Sequence, residues 1–377
     1  MSSAAAVSPP QISGFNYVRP LGSGGFAHVF QYEQNMPRRV VAVKVLTGGS
    51  RGATVLSSAE DRSAFEAEAD AMARLSSHPS IVSIFAASVS TDGRPYIAME
   101  FCPESFRSKS GGDVRPLDQV LDAGVRLAGA LETAHRAGIL HRDIKPSNVL
   151  LATTGRPVLA DFGIVSLRGQ MRGEGTSEAM SIPWAAPEVI ARQTSGTVPS
   201  EVWSLAATLY TFAAGRSPFA RPDGGKDTRH AMSDRIARAK YVPVPGARGY
   251  EAFDGVIACA LAKAPEQRFP SMQRFGEALQ QLQRMHGYDV TPLDVVRSEW
   301  IPPVAATGGE RGPVISSVQQ SGRAQKRAEL ARRHEELTES GRGGAGSVLK
   351  PVLIGVGSAV AVLSVGGGIL FALLGGG

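Results

Sequence analysis

The stretch LGSGGFAHVF, Leu21 to Phe30, constrains the fold more than any other part of the chain. Gly22, Gly24 and Ala27 fit the pattern G-x-G-x-x-[GA], in which absent side chains let backbone N–H groups close on phosphate oxygens. Two unrelated arrangements use it. In one, a strand leads into the glycines, a helix opens on them, and an acidic residue about twenty positions on holds a ribose hydroxyl. In the other, the glycines cap a β-hairpin. The residues that follow are AHVFQYEQ and RRVVAVKVL, with β-branched or aromatic Val29, Phe30, Val40, Val41, Val43 and Val45, and a turn-like NMPRR divides them. That composition predicts two strands and no helix. No acidic residue ends a strand at the required distance, so the hairpin stands and the dinucleotide-binding turn is excluded.

A hairpin over phosphates calls for a cation on the next strand, and VAVK supplies Lys44. The helical stretch EDRSAFEAEADAMARL turns Phe65, Ala69, Met72 and Leu75 toward a core and offers Glu66 and Glu68 as partners for that lysine; Glu68 is the choice. Further on come HRDIKPSNVLL (His141 to Leu151), DFG (Asp161 to Gly163) and APE (Ala186 to Glu188), in that order. On these motifs the chain resembles the bacterial, eukaryotic-type (Hanks-type) serine/threonine protein kinases, over about residues 15 to 285. The resemblance implies an α+β, bilobal fold with a β-rich N-lobe over about 14–101 and a helical C-lobe over about 103–286. It also implies transfer of the ATP γ-phosphate to Ser/Thr hydroxyls of protein substrates, with Mg²⁺ as the metal and Mn²⁺ as its alternative.

The residue roles follow from the same resemblance. Asp143 orients the substrate hydroxyl and accepts its hydrogen, and Lys145 steadies the γ-phosphate and marks Ser/Thr rather than Tyr specificity. Lys44, held by Glu68, reaches the α/β-phosphates. Asn148 and Asp161 hold the metal through hard oxygen ligands. The loop Leu21, Gly22, Ser23, Gly24, Gly25, Phe26 and Ala27 covers the phosphates. Leu21, Val29, Ala42 and Leu150 sandwich the adenine, Met99 is the gatekeeper, and the Glu100 carbonyl and Cys102 amide face the adenine edge. Glu188 pairs with Arg268. Arg142 marks kinases whose activation loop is ordered by phosphorylation, since a phosphate brings about two negative charges for it to pair with; Thr176 and Ser177 are the phosphosite candidates. Four positions depart from the pattern: Ser181 for a threonine, Trp184 for a tyrosine, Ala206 for a glycine, and Glu201 for the aspartate that braces the H-R-D backbone. An extra methylene in a packed site can cost about 1–3 kcal/mol, so a less firmly held catalytic loop and reduced activity are expected. The alternative is an ATP-binding pseudokinase or signalling scaffold.

The rest of the chain divides by composition into a leader expected to be disordered (1–13), the folded region (14–286), a juxtamembrane linker rich in Pro, Gly, Ser, Arg and Glu (287–349) and a charge-free stretch from Pro351 to Leu374. Twenty-four residues as a helix span about 36 Å, enough for a hydrocarbon core of about 30 Å, so 351–374 reads as a single transmembrane helix. Arg323, Lys326, Arg327, Arg332, Arg333, Arg342 and Lys350 precede it. By the positive-inside rule the folded region is cytoplasmic, at the cell membrane, and the C-terminus outside. The first residues lack the basic start and apolar run of a secretory signal, and only three glycines follow the span, so no external sensor is expected in this chain. Cys102 and Cys259 lie far apart, which argues against a disulfide framework or zinc site. The net charge of +6 gathers beside the membrane stretch instead of forming an aromatic-interleaved patch, so nucleic acid is not an expected partner. A homodimer, through the N-lobe or the small-residue membrane stretch, is implied by resemblance alone.

Overall fold

The computed structural model describes residues 8–24, 27–46, 59–106, 114–162, 181–221, 223, 225, 227–244 and 250–296; within its first helix the side chains of 59–62, 64, 67, 68 and 71 lie outside the description. Strands β1 (Phe15–Ser23), β2 (Ala27–Asn35), β3 (Arg38–Leu46), β4 (Ile84–Val89) and β5 (Pro95–Glu100) form an antiparallel sheet in the order β1-β2-β3-β5-β4. The hairpin expected from the glycine stretch is present, with Val29 opposite Lys44 and Tyr32 opposite Val41. Alternation along β3 sorts its side chains between two faces. Val41, Val43 and Val45 join Phe30, Tyr32, Tyr96 and Ala98 on the outer face, while Ala42 and Leu46 join Ile97 and Met99 on the inner one. Helix α1 (Ala59–Leu75) buries Phe65, Ala69, Met72 and Leu75, as its periodicity requires, and packs against β4.

The leader is packed further than its composition suggests. Ile12 is buried in the outer cluster, the Tyr32 hydroxyl donates to the Pro10 carbonyl at 2.6 Å, and Arg94 donates to the Ser8 carbonyl at 3.0 Å. A sheet face carrying three valines needs cover, and residues 8–12 supply part of it.

A second sheet, β6 (Glu104–Ser105), β7 (Val149–Leu151) and β8 (Pro157–Leu159), runs β6-β7-β8. The helices are α2 (Leu117–Arg136), α3 (Pro187–Ile190), α4 (Val198–Ala214), α5 (Arg229–Arg238), α6 (Glu251–Ala260) and α7 (Met272–Met285). Helix α4 is apolar nearly all round and therefore central. It opens on a capping box, in which the Thr197 hydroxyl accepts from the Ser200 N–H and the Ser200 hydroxyl from the Thr197 N–H, and it ends at Gly215 with φ +71°. One apolar cluster runs from the inner sheet face through α2, α4 and α7. This β-sheet N-lobe and helical C-lobe are the bilobal architecture expected. The packed chain continues past α7 to residue 296, so the region assigned to the linker from 287 onward begins inside the fold.

Close approach of α2, α4 and α7 depends on Gly124. A Cβ there would stand 2.7 Å from Leu279 Cδ1 and 2.9 Å from Leu209 Cδ1. Gly124→Ala is therefore expected to destabilise the domain by about 1–3 kcal/mol, read as a lower urea midpoint; an unchanged midpoint would mean that both leucines find other rotamers at no cost.

Candidate active site

The catalytic segment between α2 and β7 is held from behind. Arg142 has φ +65° and Asp161 has φ +68°, a left-handed conformation uncommon for non-glycine residues that persists only where neighbours enforce it. For Arg142 the enforcing group is Glu201 on α4, 2% exposed, whose Oε1 accepts the Arg142 N–H at 2.6 Å. Its Oε2 lies 2.6 Å from His135 Nε2 on α2. The longer side chain thus spans two partners, and the segment expected to be slack is braced. Ala206, a turn and a half further along α4, is fully buried.

His141 is fully buried. Its Nε2 lies 2.9 Å from the Ala160 carbonyl, and its Nδ1 accepts the Asp143 N–H at 3.3 Å. A carbonyl only accepts, so Nε2 carries the proton and the ring is neutral. Burial pushes its pKa down against the opposing pull of Glu201, Asp143 and Asp161. The ring sits 4.5 Å from that of the buried Phe162.

Around Asp143 the expected residues converge. Lys145 Nζ is 2.9 Å from Asp143 Oδ2 and donates to the Ser181 hydroxyl at 2.9 Å, and that hydroxyl donates to Asp143 Oδ1 at 2.8 Å. Serine in place of threonine therefore keeps the bond. Asn148 Nδ2 donates to the Asp143 carbonyl at 2.7 Å, which leaves Oδ1 as its ligand atom. The Ala160 N–H donates to the Asn148 carbonyl at 2.9 Å, so the two candidate metal-holding residues, Asn148 and Asp161, stand in fixed relation. Lys44, 2% exposed, pairs with Asp161 Oδ1 at 2.7 Å. Its expected partner Glu68 lies on α1, but the Glu68 side chain is outside the described residues.

The donor set fits ATP and Mg²⁺. Asn148 and Asp161 offer hard oxygens and leave the remaining octahedral positions to phosphate and water, as Mg²⁺ prefers. Among the described residues nothing stands within 4 Å of where a Cβ on Gly22 would be, and the Gly24 N–H is tied to the Ala27 carbonyl at 2.9 Å. Leu21, Val29, Ala42, Met99, Cys102 and Leu150 meet in one apolar cluster, while the Glu100 N–H bonds the Ser83 carbonyl at 2.8 Å. The Cys102 thiol is pushed up to about 12, first by burial and then by the Glu100 charge, and so is no nucleophile. Gly25, Phe26, Gly163, Thr176 and Ser177 lie outside the described residues.

Arg268 and Glu188 form a bidentate pair at 2.7 and 2.9 Å, both buried. The remaining Arg268 donors reach the carbonyls of Ala262, Lys263 and Pro199, and its guanidinium lies 4.9 Å from the Trp203 ring. Trp184 is anchored to α4 by its Nε1–H, 3.0 Å from the Thr211 hydroxyl. The roles of His135 and of the His141 tautomer do not follow from the motifs; the one available signal is a histidine in the last turn of α2. Arg268→Leu would leave a buried unpaired carboxylate and is expected to cost about 3–5 kcal/mol. Glu188→Gln in the same chain should recover part of that loss in urea unfolding, and additive losses would mean that the two residues are not energetically paired.

Comparison with known proteins agrees with this geometry. Residues 15–280 match the family model described as protein kinase domain. The chain is 36% identical over 286 residues to serine/threonine-protein kinase PknK of Mycobacterium tuberculosis (strain H37Rv), covering 74% of this chain and 25% of that protein. It is 32% identical over 285 residues to PknJ of the same strain (71% of this chain, 45% of PknJ), and 32% over 280 residues to PknF of strain H37Ra (71% and 56%). The chain thus spans from a quarter to a little over half the length of these relatives. With the motifs assembled around Asp143 and a family match over most of its length, the chain belongs to the protein kinase family.

Proposed function

We propose that this chain is an ATP- and Mg²⁺-dependent serine/threonine protein kinase, tethered to a membrane by residues 351–374. The observation that carries the reading is the Asp143 carboxylate, contacted on one oxygen by Lys145 and on the other by Ser181, beside Asn148 and Asp161. Phosphoryl transfer passes through a loose transition state, so the protein mainly positions groups and offsets charge. Asp143 aligns the substrate hydroxyl and receives its hydrogen. Lys145, held between Asp143 and Ser181, faces the charge that develops on transfer. Bound ATP–Mg²⁺ would supply the phosphoryl group and neutralise its oxygens, with Asn148 and Asp161 as protein ligands and Lys44 at the α/β-phosphates.

Control by autophosphorylation at Thr176 or Ser177 belongs to the same proposal. Its support is Arg142, whose backbone is fixed while its side chain is exposed and free to reach a phosphate. The tether rests on the charge-free run and the basic residues before it, which suit an anionic cytoplasmic surface; residues 351–374 lie outside the described residues. Among the described residues no helix is long and apolar enough to cross a membrane. A homodimer rests on resemblance only. The pseudokinase alternative leaned on Glu201, and the brace that Glu201 makes takes away that ground.

The test is label transfer from γ-³²P-ATP to a generic basic protein, by the full chain and its Asp143→Asn variant. The variant is expected to lose at least about a hundredfold in rate, the scale of a lost general base. Equal, residual labelling by both forms, with nucleotide still bound, would overturn the kinase reading in favour of a scaffold. Separation of membranes from cytosol, with and without 351–374, decides the tether: equal recovery in the soluble fraction would sink it.

A further inference from the structure

The chain beyond α7 does more than leave the domain. The Thr291 N–H donates to Gln283 Oε1 at 3.0 Å; its hydroxyl accepts from Gln283 Nε2 at 2.8 Å and donates to Asp122 Oδ1 at 2.7 Å. The Val296 N–H donates to the Thr133 hydroxyl at 3.1 Å. Two glycines open the groove in which this strap lies. A Cβ on Gly276 of α7 would stand 2.7 Å from Leu293 Cδ1, and one on Gly129 of α2 would stand 2.2 Å from the Asp294 carbonyl oxygen.

That same carbonyl meets His78, a residue 1% exposed in the turn between α1 and β4. His78 Nε2 lies 3.0 Å from the Asp294 oxygen, and its Nδ1 accepts the Ser80 N–H at 3.0 Å. The ring is therefore the Nε2–H tautomer, donor to the strap and acceptor from the turn at once. Past Ser80 the turn is fastened to β8. The Leu159 N–H donates to the Ser80 carbonyl at 2.9 Å, and the Val82 N–H to the Leu159 carbonyl at 3.0 Å, around a parallel bridge between Ile81 and Leu159. Leu159 stands two residues before Asp161, and Ala160 between them is bonded to Asn148. The Asp294 carboxylate adds a contact to Arg156, in the β7–β8 turn, at 3.5 Å.

We propose that residues 291–296 are a positioning element of the active site: the strap, through Asp294 and His78, holds the Ser80–Val82 turn against Leu159 and so sets where Asp161 stands. A narrow attachment of two backbone bonds takes its register from whatever fixes Ser80, and His78 fixes it only while the Asp294 carbonyl is in place. A cover serving α2 and α7 alone would need Leu293 and Thr291 but no buried imidazole reaching to the other lobe. The catalytic consequence rests on the kinase reading above; the mechanical linkage does not.

The experiment uses the full chain. Gly129→Ala displaces the Asp294 carbonyl, and alanine within α2 favours the helix. A second variant, Thr291→Gly with Leu293→Ser, releases the strap with no substitution in α2, in case the first fails to fold. His78→Ala cuts the link itself, and His78→Gln keeps a donor where Nε2 stood. Hydrogen exchange of the nucleotide-free protein is expected to quicken at Leu159 and Ala160 in the strap variants and in His78→Ala, less in His78→Gln, with the β2–β3 amides unchanged. In the transfer assay, kcat should fall about two- to thirtyfold, the span of such couplings, with little change in KM for the protein substrate. Faster exchange at Thr291 and Val296, with wild-type protection kept at Leu159 and Ala160, would overturn the proposal. Coupled exchange in a chain that transfers no phosphate would uphold the linkage and count against the kinase reading alone.

Discussion

The carboxylate of Glu201 is the interaction on which the catalytic geometry depends. A left-handed residue before Asp143 is a local cost, of order 1–3 kcal/mol, and the Arg142 N–H finds its partner outside residues 141–148. The offset comes from α4, the most enclosed helix of the domain, which presents one buried charged group to the Arg142 N–H and to His135. Hydrogen bonds to a charged acceptor are among the stronger ones available. Asp143 inherits its position from that brace, and Lys145, Ser181 and Asn148 inherit theirs from Asp143. The rigidity of a central helix is thereby passed to a loop.

The buried Arg268–Glu188 ion pair does for the rear of the C-lobe what Glu201 does for the loop. Every N–H of the Arg268 guanidinium is used, on Glu188 and on three carbonyls from two chain segments. A buried charge satisfied to that extent specifies one arrangement of α3, the start of α4 and residues 262–268, because any shift leaves a donor unpaired in a dry site. The APE segment begins one residue after Ser181–Trp184, so the pair also bounds the stretch that brings the Ser181 hydroxyl to Asp143.

Local patterns were legible in the sequence, and long-range partnerships were not. The hairpin, the buried face of α1 and the convergence on Asp143 follow from strand alternation, helical period and motif order, all carried by residues near one another in the chain. The sequence also placed Glu201 opposite the H-R-D backbone, but judged it by its length alone. The compensation lies in His135, sixty-six residues away, and no pattern links the two positions. Similarly, residues 8–12 and 291–296 read as parts of a leader and a linker by composition, yet each carries a buried residue, Ile12 or Thr291, that docks on a surface built elsewhere. Lys44 was assigned to Glu68 by motif; among the described residues it pairs with Asp161 at 2.7 Å, and the Glu68 side chain lies outside them.

The two left-handed residues of the site, Arg142 and Asp161, therefore differ in what holds them. Arg142 is fixed by one strong bond from a central helix. For Asp161 the fixing groups are dispersed: Lys44 from β3, the Ala160–Asn148 bond from the turn before β7, and the Leu159 bridge from the turn after α1. A residue held by one enclosed partner keeps its place unless the domain opens. A residue held by elements of both sheets moves when either shifts, and opening of such attachments needs less free energy than global unfolding. The asymmetry suits the proposed roles, a fixed base at Asp143 and, at Asp161, a carboxylate that would hold a cation and is here paired with Lys44.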